Sequence, residues 1–439
     1  MAGKRILVVG AGFAGLYAAL HLRRAVDLGH RVTIVNPENF MQYHPFLPEV
    51  ASGTIDPRAA VVPLRRVLPH CEVVIGEVEG LDRGERTARV RIPDGRHVEI
   101  GYDVVVLAPG SWARVLPIPG LARHGVGFKT VQEAIWLRNH VLSRLDLAAV
   151  SDDVERRRAA LTFVFVGGGY AGVEALGELE DLARDAIRSY PSLRPDQMRW
   201  VLVEAAGSIL PEIGPSLADY AIERLRERGI EVLLNTRLDS AEGGVLRLSD
   251  GQAFPAETLV WTAGVKPSPL AAESGFPVDE AGRIRTDTFL RVEGVQDAWA
   301  AGDSAAVPDL LGGGVMPPTA QHGMRQGKRL GSNVVAVLEG RPPEHFGYRG
   351  IGSVVSLGRY KGVASGTIIV PMPSEVNTSS SSECGCRPST TCACGTPCST
   401  ARTHASSLGI IPASTFSSRA LAPETDSSDS SESRSGQSP

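Results

Sequence analysis

Residues 5–36 read RILVVGAGFAGLYAALHLRRAVDLGHRVTIVN. Positions 6–9 are an uninterrupted apolar run, short and stopped by glycine, which predicts a parallel strand covered on both faces. Gly10, Gly12 and Gly15 follow without a gap in the spacing G-x-G-x-x-G, apolar residues recur with helical spacing over 16–28, and 31–35 is a second apolar run. Strand, glycine turn, helix and strand make one βαβ unit. The three glycines serve different ends: the first permits a tight turn, the second lets backbone amides approach a pyrophosphate, and the third lets the helix pack on the strand. The helix N-terminus then presents its partial positive charge to the phosphates. The second strand ends in Asn36, where many dinucleotide sites place an acid for the ribose hydroxyls. An amide can still hydrogen-bond there, which argues against NAD at this turn and leaves FAD open.

The same pattern recurs further on. Positions 161–166 are apolar, Gly167, Gly169 and Gly172 repeat the spacing, 173–187 is helical in pattern, and 200–203 is a strand ending at Glu204. The interval exceeds the usual ~20 residues because 189–197 insert a loop. A carboxylate at 204 accepts from both ribose hydroxyls and repels a 2′-phosphate, and Ala205 and Ala206 offer no cation to hold one, so NADH is expected over NADPH. The plainer alternative is a solvated glutamate at a strand end. Strands over 72–78, 90–100 with a turn at Asp94-Gly95, and 104–107 complete the first unit. Strands over 230–234, 245–248 and 258–261, with a turn at Asp250-Gly251, repeat that order and imply an internal duplication. Ala108-Pro109-Gly110 and Thr262-Ala263-Gly264 end equivalent strands. Ala108, Gly110 and Val78 are assigned to FAD, and Ala263 and Gly264 to NADH. A last short strand, 297–301, closes on Gly302-Asp303, where a carboxylate can hydrogen-bond the ribityl hydroxyls of a flavin or cap the next helix.

The resulting expectation is an α/β fold with two Rossmann-like dinucleotide-binding domains and a disordered C-terminal tail. Residues 1–118 and 285–345 are read as two parts of an FAD-binding domain, 119–284 as an NADH-binding domain, 346–372 as a truncated C-terminal region and 373–439 as a Ser/Thr/Cys-rich tail. A chain of 439 residues is long enough for several cores. Its formal charge of −4 gives no general basic field, so nucleic acid is not an expected partner. No run approaches the roughly 18 apolar residues of a spanning helix, and the N-terminus reads as neither signal peptide nor anchor. A cytoplasmic location is expected, with any membrane contact peripheral. Cys71 is the only cysteine before position 384, so no disulfide framework supports the folded part.

Taken together, VVGAGFAG (8–15), VFVGGGYAGVEALGELE (164–180), WTAGVKP (261–267), DAWAAGDSAAVPD (297–309) and TAQHGMRQGKRLGSN (319–333) resemble the type II NADH dehydrogenases, the NADH:quinone oxidoreductases of the two-dinucleotide flavoprotein superfamily. The resemblance runs from about residue 4 to 364. It implies a non-proton-pumping respiratory enzyme that passes hydride from NADH to FAD and two electrons on to quinone, lies on the cytoplasmic face of the membrane, and is compatible with a homodimer. Glu174 matches the family's glutamate near flavin and nicotinamide, though a first-turn glutamate also suits the helix dipole. Gln321 matches its glutamine on the quinone side of the flavin, where an amide can hydrogen-bond a quinone carbonyl. The segment FMQYHPFLPEVAS (40–52) echoes a loop that approaches the flavin, with His44 more readily a structural hydrogen-bonder than a proton donor. Disulfide reductases of the superfamily carry a C-x4-C pair that this chain lacks, so electrons must leave the flavin directly. Two alternatives share both fingerprints: an NADH-dependent reductase of a small electron-carrier protein, and an NADH-binding redox sensor.

From about 365 the resemblance stops. The text turns to SSSSECGCRPSTTCACGTPCST (379–400), too poor in apolar residues to offset its ordering entropy. A reading-frame shift is the favoured explanation, ahead of a natural disordered tail and of a metal site built from Cys384, Cys386, Cys392, Cys394 and Cys398; no metal is assigned. Relatives continue with amphipathic helices that hold the membrane. The protein is therefore expected to be yellow and to oxidise NADH with artificial acceptors, with weak or absent turnover of membrane quinone. Equal rates with a lipid-like quinone in an acceptor screen would contradict this.

Overall fold

The computed structural model describes residues 3–114 and 116–366, together with the backbone of 376–379. The chain divides between Ser381 and Ser382, and the second unit, with the five cysteines of the tail, lies outside the described residues.

Two five-stranded parallel sheets organise the first unit. The first runs Ala298–Ala300, Val104–Leu107, Arg5–Val9, Arg31–Asn36, Glu72–Ile75. The second runs Gly125–Val126, Thr258–Trp261, Thr162–Val166, Arg199–Val203, Glu231–Leu233. Relative to its glycine turn each has the same order, and the central strands are buried on both faces, as continuous apolar runs require. Each parallel sheet is accompanied by a three-stranded antiparallel sheet, Glu77–Asp82 with Thr87–Arg91 and His97–Gly101 for the first, Leu238–Ser240 with Val245–Leu248 and Ala253–Pro255 for the second. The two Asp-Gly turns of these sheets share their chemistry: Asp94 accepts from the Arg96 amide and Asp250 from the Gln252 amide, both at 3.0 Å. The fold is the two-Rossmann α/β class that the sequence implies.

Local departures have physical causes. The run 72–78 is two strands in different sheets, turning at Gly76, where a Cβ would lie 2.7 Å from the Val90 side chain and 2.8 Å from the Arg91 carbonyl. The helix expected over 16–28 starts earlier and divides at Leu22 into Phe13–His21 and Arg23–Asp27. The second fingerprint helix likewise starts before its third glycine and spans Tyr170–Ala186.

Helix Ala320–Leu338 lies directly on Phe13–His21. A Cβ on Gly327 would stand 2.2 Å from the Ala14 carbonyl oxygen, and one on Gly331 2.6 Å from that of Ala18. These glycines are four apart and share one face, so the two backbones touch. The contact carries the start of the later helix, with Gln321, to the first glycine turn.

Past this helix, the region read as truncated has a fold of its own. Ser353–Ser356 and Gly362–Ser365 pair as an antiparallel hairpin whose Val355, Leu357 and Val363 are buried in the core around helix Tyr170–Ala186. Asp181 accepts from the Arg359 amide at 2.6 Å, the Arg228 guanidinium donates to the Leu357 carbonyl, and Gly177 leaves room for that strand end. Among the described residues no helix is long and apolar enough to cross a membrane.

Replacing Gly327 by alanine should force the two helices apart and lower stability by about 1–3 kcal/mol, the usual cost of overpacking. Urea unfolding of the variant measures it, and an unshifted midpoint would show that the helices part without cost.

Candidate active site

The two glycine turns are built alike. At the first, Gly10 has φ +89° and a Cβ on it would meet the Ala108 carbonyl oxygen at 2.3 Å, while one on Gly15 would meet the Gly10 carbonyl oxygen at 1.8 Å. At the second, Gly167 has φ +117° and its Cβ would meet the Ala263 nitrogen at 2.8 Å, while that of Gly172 would meet the Gly167 carbonyl oxygen at 2.0 Å. The outer glycines are thus demanded by the protein's own packing. The middle ones are different: nothing lies within 4 Å of the Cβ positions of Gly12 and Gly169. Each is the N-cap of its helix, and no side chain caps either. The first-turn N–H groups are left for an external anion.

The strand-end residues brace these turns. Asn36 accepts from the Ala11 amide at 2.8 Å and donates to the Glu38 carbonyl at 2.9 Å. Glu204 accepts from the Gly168 amide through Oε2 at 2.6 Å and from the Ala206 amide through Oε1 at 2.7 Å. Each Glu204 oxygen retains a lone pair, so bracing the turn leaves capacity for ribose hydroxyls. This structural role of Glu204 lay beyond the sequence reading.

Beyond the turns, Gly110 (φ +73°) and Gly264 (φ +83°) start the ribbon in which Ser111–Ala113 pairs with Val265–Pro267. Gly302 (φ +83°) donates its amide to the buried Gln326 at 2.8 Å. Asp303 accepts from the Ser111 hydroxyl at 2.9 Å, and Lys129 donates to the same hydroxyl at 2.9 Å and to the Ser111 carbonyl. Burial pulls the Lys129 ammonium below its ordinary range, against the pull of Asp303 and Glu133. Lys129 and Ser111 escaped the sequence reading, since no periodicity links positions 111, 129 and 303. Val78 is half-buried against the first core, paired with Val90. His44 lies 6.4 Å from the Phe13 ring, and Tyr43 meets that ring edge-on at 5.4 Å. The His44 ring is exposed, yet the protein packed around it, with Lys129 nearby, lowers its basicity.

Glu174 and Gln321 are both contacted by the segment 348–356. Glu174 accepts from the Ser356 amide at 3.0 Å, and the Ser356 hydroxyl donates to the buried Glu178 at 3.1 Å. Glu49, on helix Leu47–Ser52, has a buried Oε2 without a hydrogen-bond partner among the described residues. Burial pushes Glu174 up to about 8, with the Ser356 amide opposing and Glu49 and Glu178 adding to the rise. Gln321 accepts from the Tyr348 hydroxyl at 3.0 Å and donates to the Gly352 carbonyl at 2.8 Å. Glu49, Glu178, Ser356 and Tyr348 went unread, because their neighbours are distant in sequence.

Two parallel sheets, each with an uncapped glycine turn, make two folds of the dinucleotide-binding class. The chain belongs to the pyridine nucleotide-disulphide oxidoreductase family, whose model matches residues 4–327. Within it, the chain belongs with the type II NADH:quinone oxidoreductases. It is 30% identical over 382 residues to NdhA of Mycobacterium tuberculosis, covering 82% of this chain and 78% of that one. To the type II NADH:quinone oxidoreductase of Staphylococcus saprophyticus it is 31% identical over 366 residues, covering 82% and 89%. The fold is similar to that of NDH2 from Plasmodium falciparum in complex with NADH, with a TM-score of 0.76 at 18% identity, covering 82% of this chain and 90% of that one.

The state of Glu174 has a measurable consequence. Burial favours its neutral form, so the folded protein keeps a proton that the unfolded chain releases above the ordinary value of 4.5. The stability this contributes is full below about 4.5 and is lost as pH rises through about 8. Urea midpoints between pH 5 and 9 should therefore decline in the unaltered protein and decline less in Glu174→Gln. Parallel curves would mean that Glu174 is ionised throughout.

Proposed function

We propose that this chain is an FAD-dependent NADH:quinone oxidoreductase in which the first glycine turn holds FAD and the second receives NADH. The observation that carries the reading is the pair of open middle glycines at uncapped helix N-termini, each a cradle that any Cβ would fill. Both cradles fit a pyrophosphate. Bound FAD supplies the redox chemistry, accepting hydride from NADH and giving two electrons to the quinone.

The chain's own residues bind and orient. Gly10, Gly12 and Gly15 offer backbone amides to the FAD pyrophosphate, with Asn36 bracing their turn. Val78, Ala108, Gly110, Gly302, Asp303 and Gln321 form the remaining FAD side, and Lys129, through Ser111, holds the Asp303 carboxylate in place. Gly167, Gly169 and Gly172 do the same for NADH, with Glu204 on the adenine ribose and Ala263 and Gly264 beside the nucleotide. Glu174, neutral near pH 7 in its buried setting, is a proton store next to the nicotinamide. Gln321 addresses the acceptor. On this reading residues 1–118 and 285–345 are the FAD-binding domain and 119–284 the NADH-binding domain. Peripheral attachment to the cytoplasmic face of a membrane, where a lipid-soluble quinone resides, joins this proposal only on the condition that a family-like C-terminal end exists; otherwise the location is cytoplasmic.

Stopped-flow mixing tests it: NADH should bleach the flavin within a turnover, and a short-chain quinone should restore the colour. A flavin that NADH leaves oxidised, or reduces only slowly, would favour the redox-sensor alternative. Glu204→Ala should raise KM for NADH about tenfold by removing a charged hydrogen-bond acceptor, and should bring NADPH and NADH closer in kcat/KM. Unaltered discrimination between the two nucleotides would remove Glu204 from the ribose site.

A further inference from the structure

The segment 346–356 runs past the start of helix Ala320–Leu338, and its two contacts with Gln321 fix the amide one way round. A peptide carbonyl can only accept, so the edge of the Gln321 amide that meets Gly352 is the nitrogen, at 2.8 Å. The edge that meets Tyr348 at 3.0 Å is then the oxygen, and the phenol must donate. The assignment follows from the chemistry of the partners rather than from telling nitrogen from oxygen by shape. Nε2 carries two hydrogens and Gly352 takes one. The other meets no acceptor among the described residues and is a directed donor on a half-buried side chain.

The tyrosine is itself tied to the helix that bears Gln321. The Arg325 guanidinium lies 4.2 Å from the Tyr348 ring centroid, and the His322 ring meets it edge-on at 5.3 Å. Arg325 donates to the Gln321 main-chain carbonyl at 3.1 Å, and His322 is held by the Thr319 hydroxyl at 2.7 Å. Phenol and amide are thus both tied to the start of helix Ala320–Leu338. Without the hydroxyl, Gln321 would keep a single contact and could turn about its last torsion, which is intrinsically broad.

We propose that Tyr348 is a positioning residue for the electron acceptor: acting through Gln321, it presents a fixed N–H donor to a carbonyl oxygen, so that the site prefers quinones to acceptors lacking such an oxygen. The proposal rests on the reading of Gln321 as the acceptor-side residue. It says why that residue is an amide and why a phenol accompanies it, and nothing in the family fingerprints singles out position 348.

Tyr348→Phe tests it, since the ring keeps its contacts with Arg325 and His322 and only the hydroxyl goes. With a water-soluble short-chain quinone, KM should rise about fivefold while kcat changes less than about twofold, as expected for one hydrogen bond lost from binding. Calorimetric titration with a redox-inert quinone analogue should show the same rise in Kd. Ferricyanide, which takes electrons without a carbonyl contact, is the reference acceptor, and the ratio of quinone to ferricyanide kcat/KM should fall about fivefold. In a Gln321→Leu background, with flavin content matched, the tyrosine substitution should add no further loss. The proposal is overturned by an unchanged quinone KM, by a parallel fall with ferricyanide, or by an undiminished effect in the Gln321→Leu background. If the unaltered protein reduces ferricyanide but no quinone, the acceptor reading itself fails and this proposal goes with it.

Discussion

The approach of one peptide backbone to another at the glycine turns governs this molecule. At Gly15 and Gly172 the space for a side chain is already taken by a carbonyl oxygen of the same turn, so helix and strand are joined with no side chain between them. That closeness aims the helix N-termini at the gap above Gly12 and Gly169, and an uncapped N-terminus there is a standing attraction for phosphate. The seam between Gly327 and Ala14 extends the same device from turn to helix pair. Because a helix can lie in backbone contact with Phe13–His21, Gln321 reaches the first turn although it lies some 300 residues away in the chain.

Duplication supplies two such turns, and what surrounds each makes them unequal. Asn36 spends its amide on the turn and on Glu38, whereas Glu204 braces its turn with charge and capacity to spare. Gly302, next to Asp303, and the helix seam stand against Ala14 of the first turn, which on the proposed reading suits a cofactor that stays. The hairpin is pinned to Tyr170–Ala186, the helix that follows the second turn, and on the same reading Glu204 suits a nucleotide that exchanges. The stronger polar anchor would then belong to the looser ligand. Affinity for a resident cofactor comes from enclosure, and recognition of an exchanging one from a few directed hydrogen bonds.

Much of this was legible in sequence where burial is two-sided. The strands Val104–Leu107 and Thr258–Trp261 have the bounds that the sequence pattern gives, because short apolar runs that end at a glycine-bearing turn leave few alternatives; Val245–Leu248, buried on one face only, keeps its bounds because an Asp-Gly turn follows it. Helix starts were less legible, since fingerprint glycines sit inside the first turn and mask it. The strand over 72–78 was misread because only a contact with Val90 and Arg91, invisible in a local window, forces the turn at Gly76. In the candidate site the glycines announced themselves by spacing. Lys129, Ser111, Ser356 and Tyr348 did not, because each acts on a partner that only the tertiary fold brings near: Ser111 meets Asp303 across 192 positions and Ser356 meets Glu174 across 182.

The segment past the last long helix changes meaning in this light. Read from sequence it is the remnant of a family-like end; in the fold it joins the two residues expected to flank the flavin, touching Gln321 through Tyr348 and Gly352 and Glu174 through Ser356. Its hairpin buries Val355, Leu357 and Val363, so the strap between those residues is held at both ends and has little freedom to slacken. The change of composition near 365 falls just beyond the last of these packed positions. The described contacts to Gln321 and Glu174 therefore come from residues 348–356, ahead of the change of composition, so this geometry does not depend on the Ser/Thr/Cys-rich text that follows.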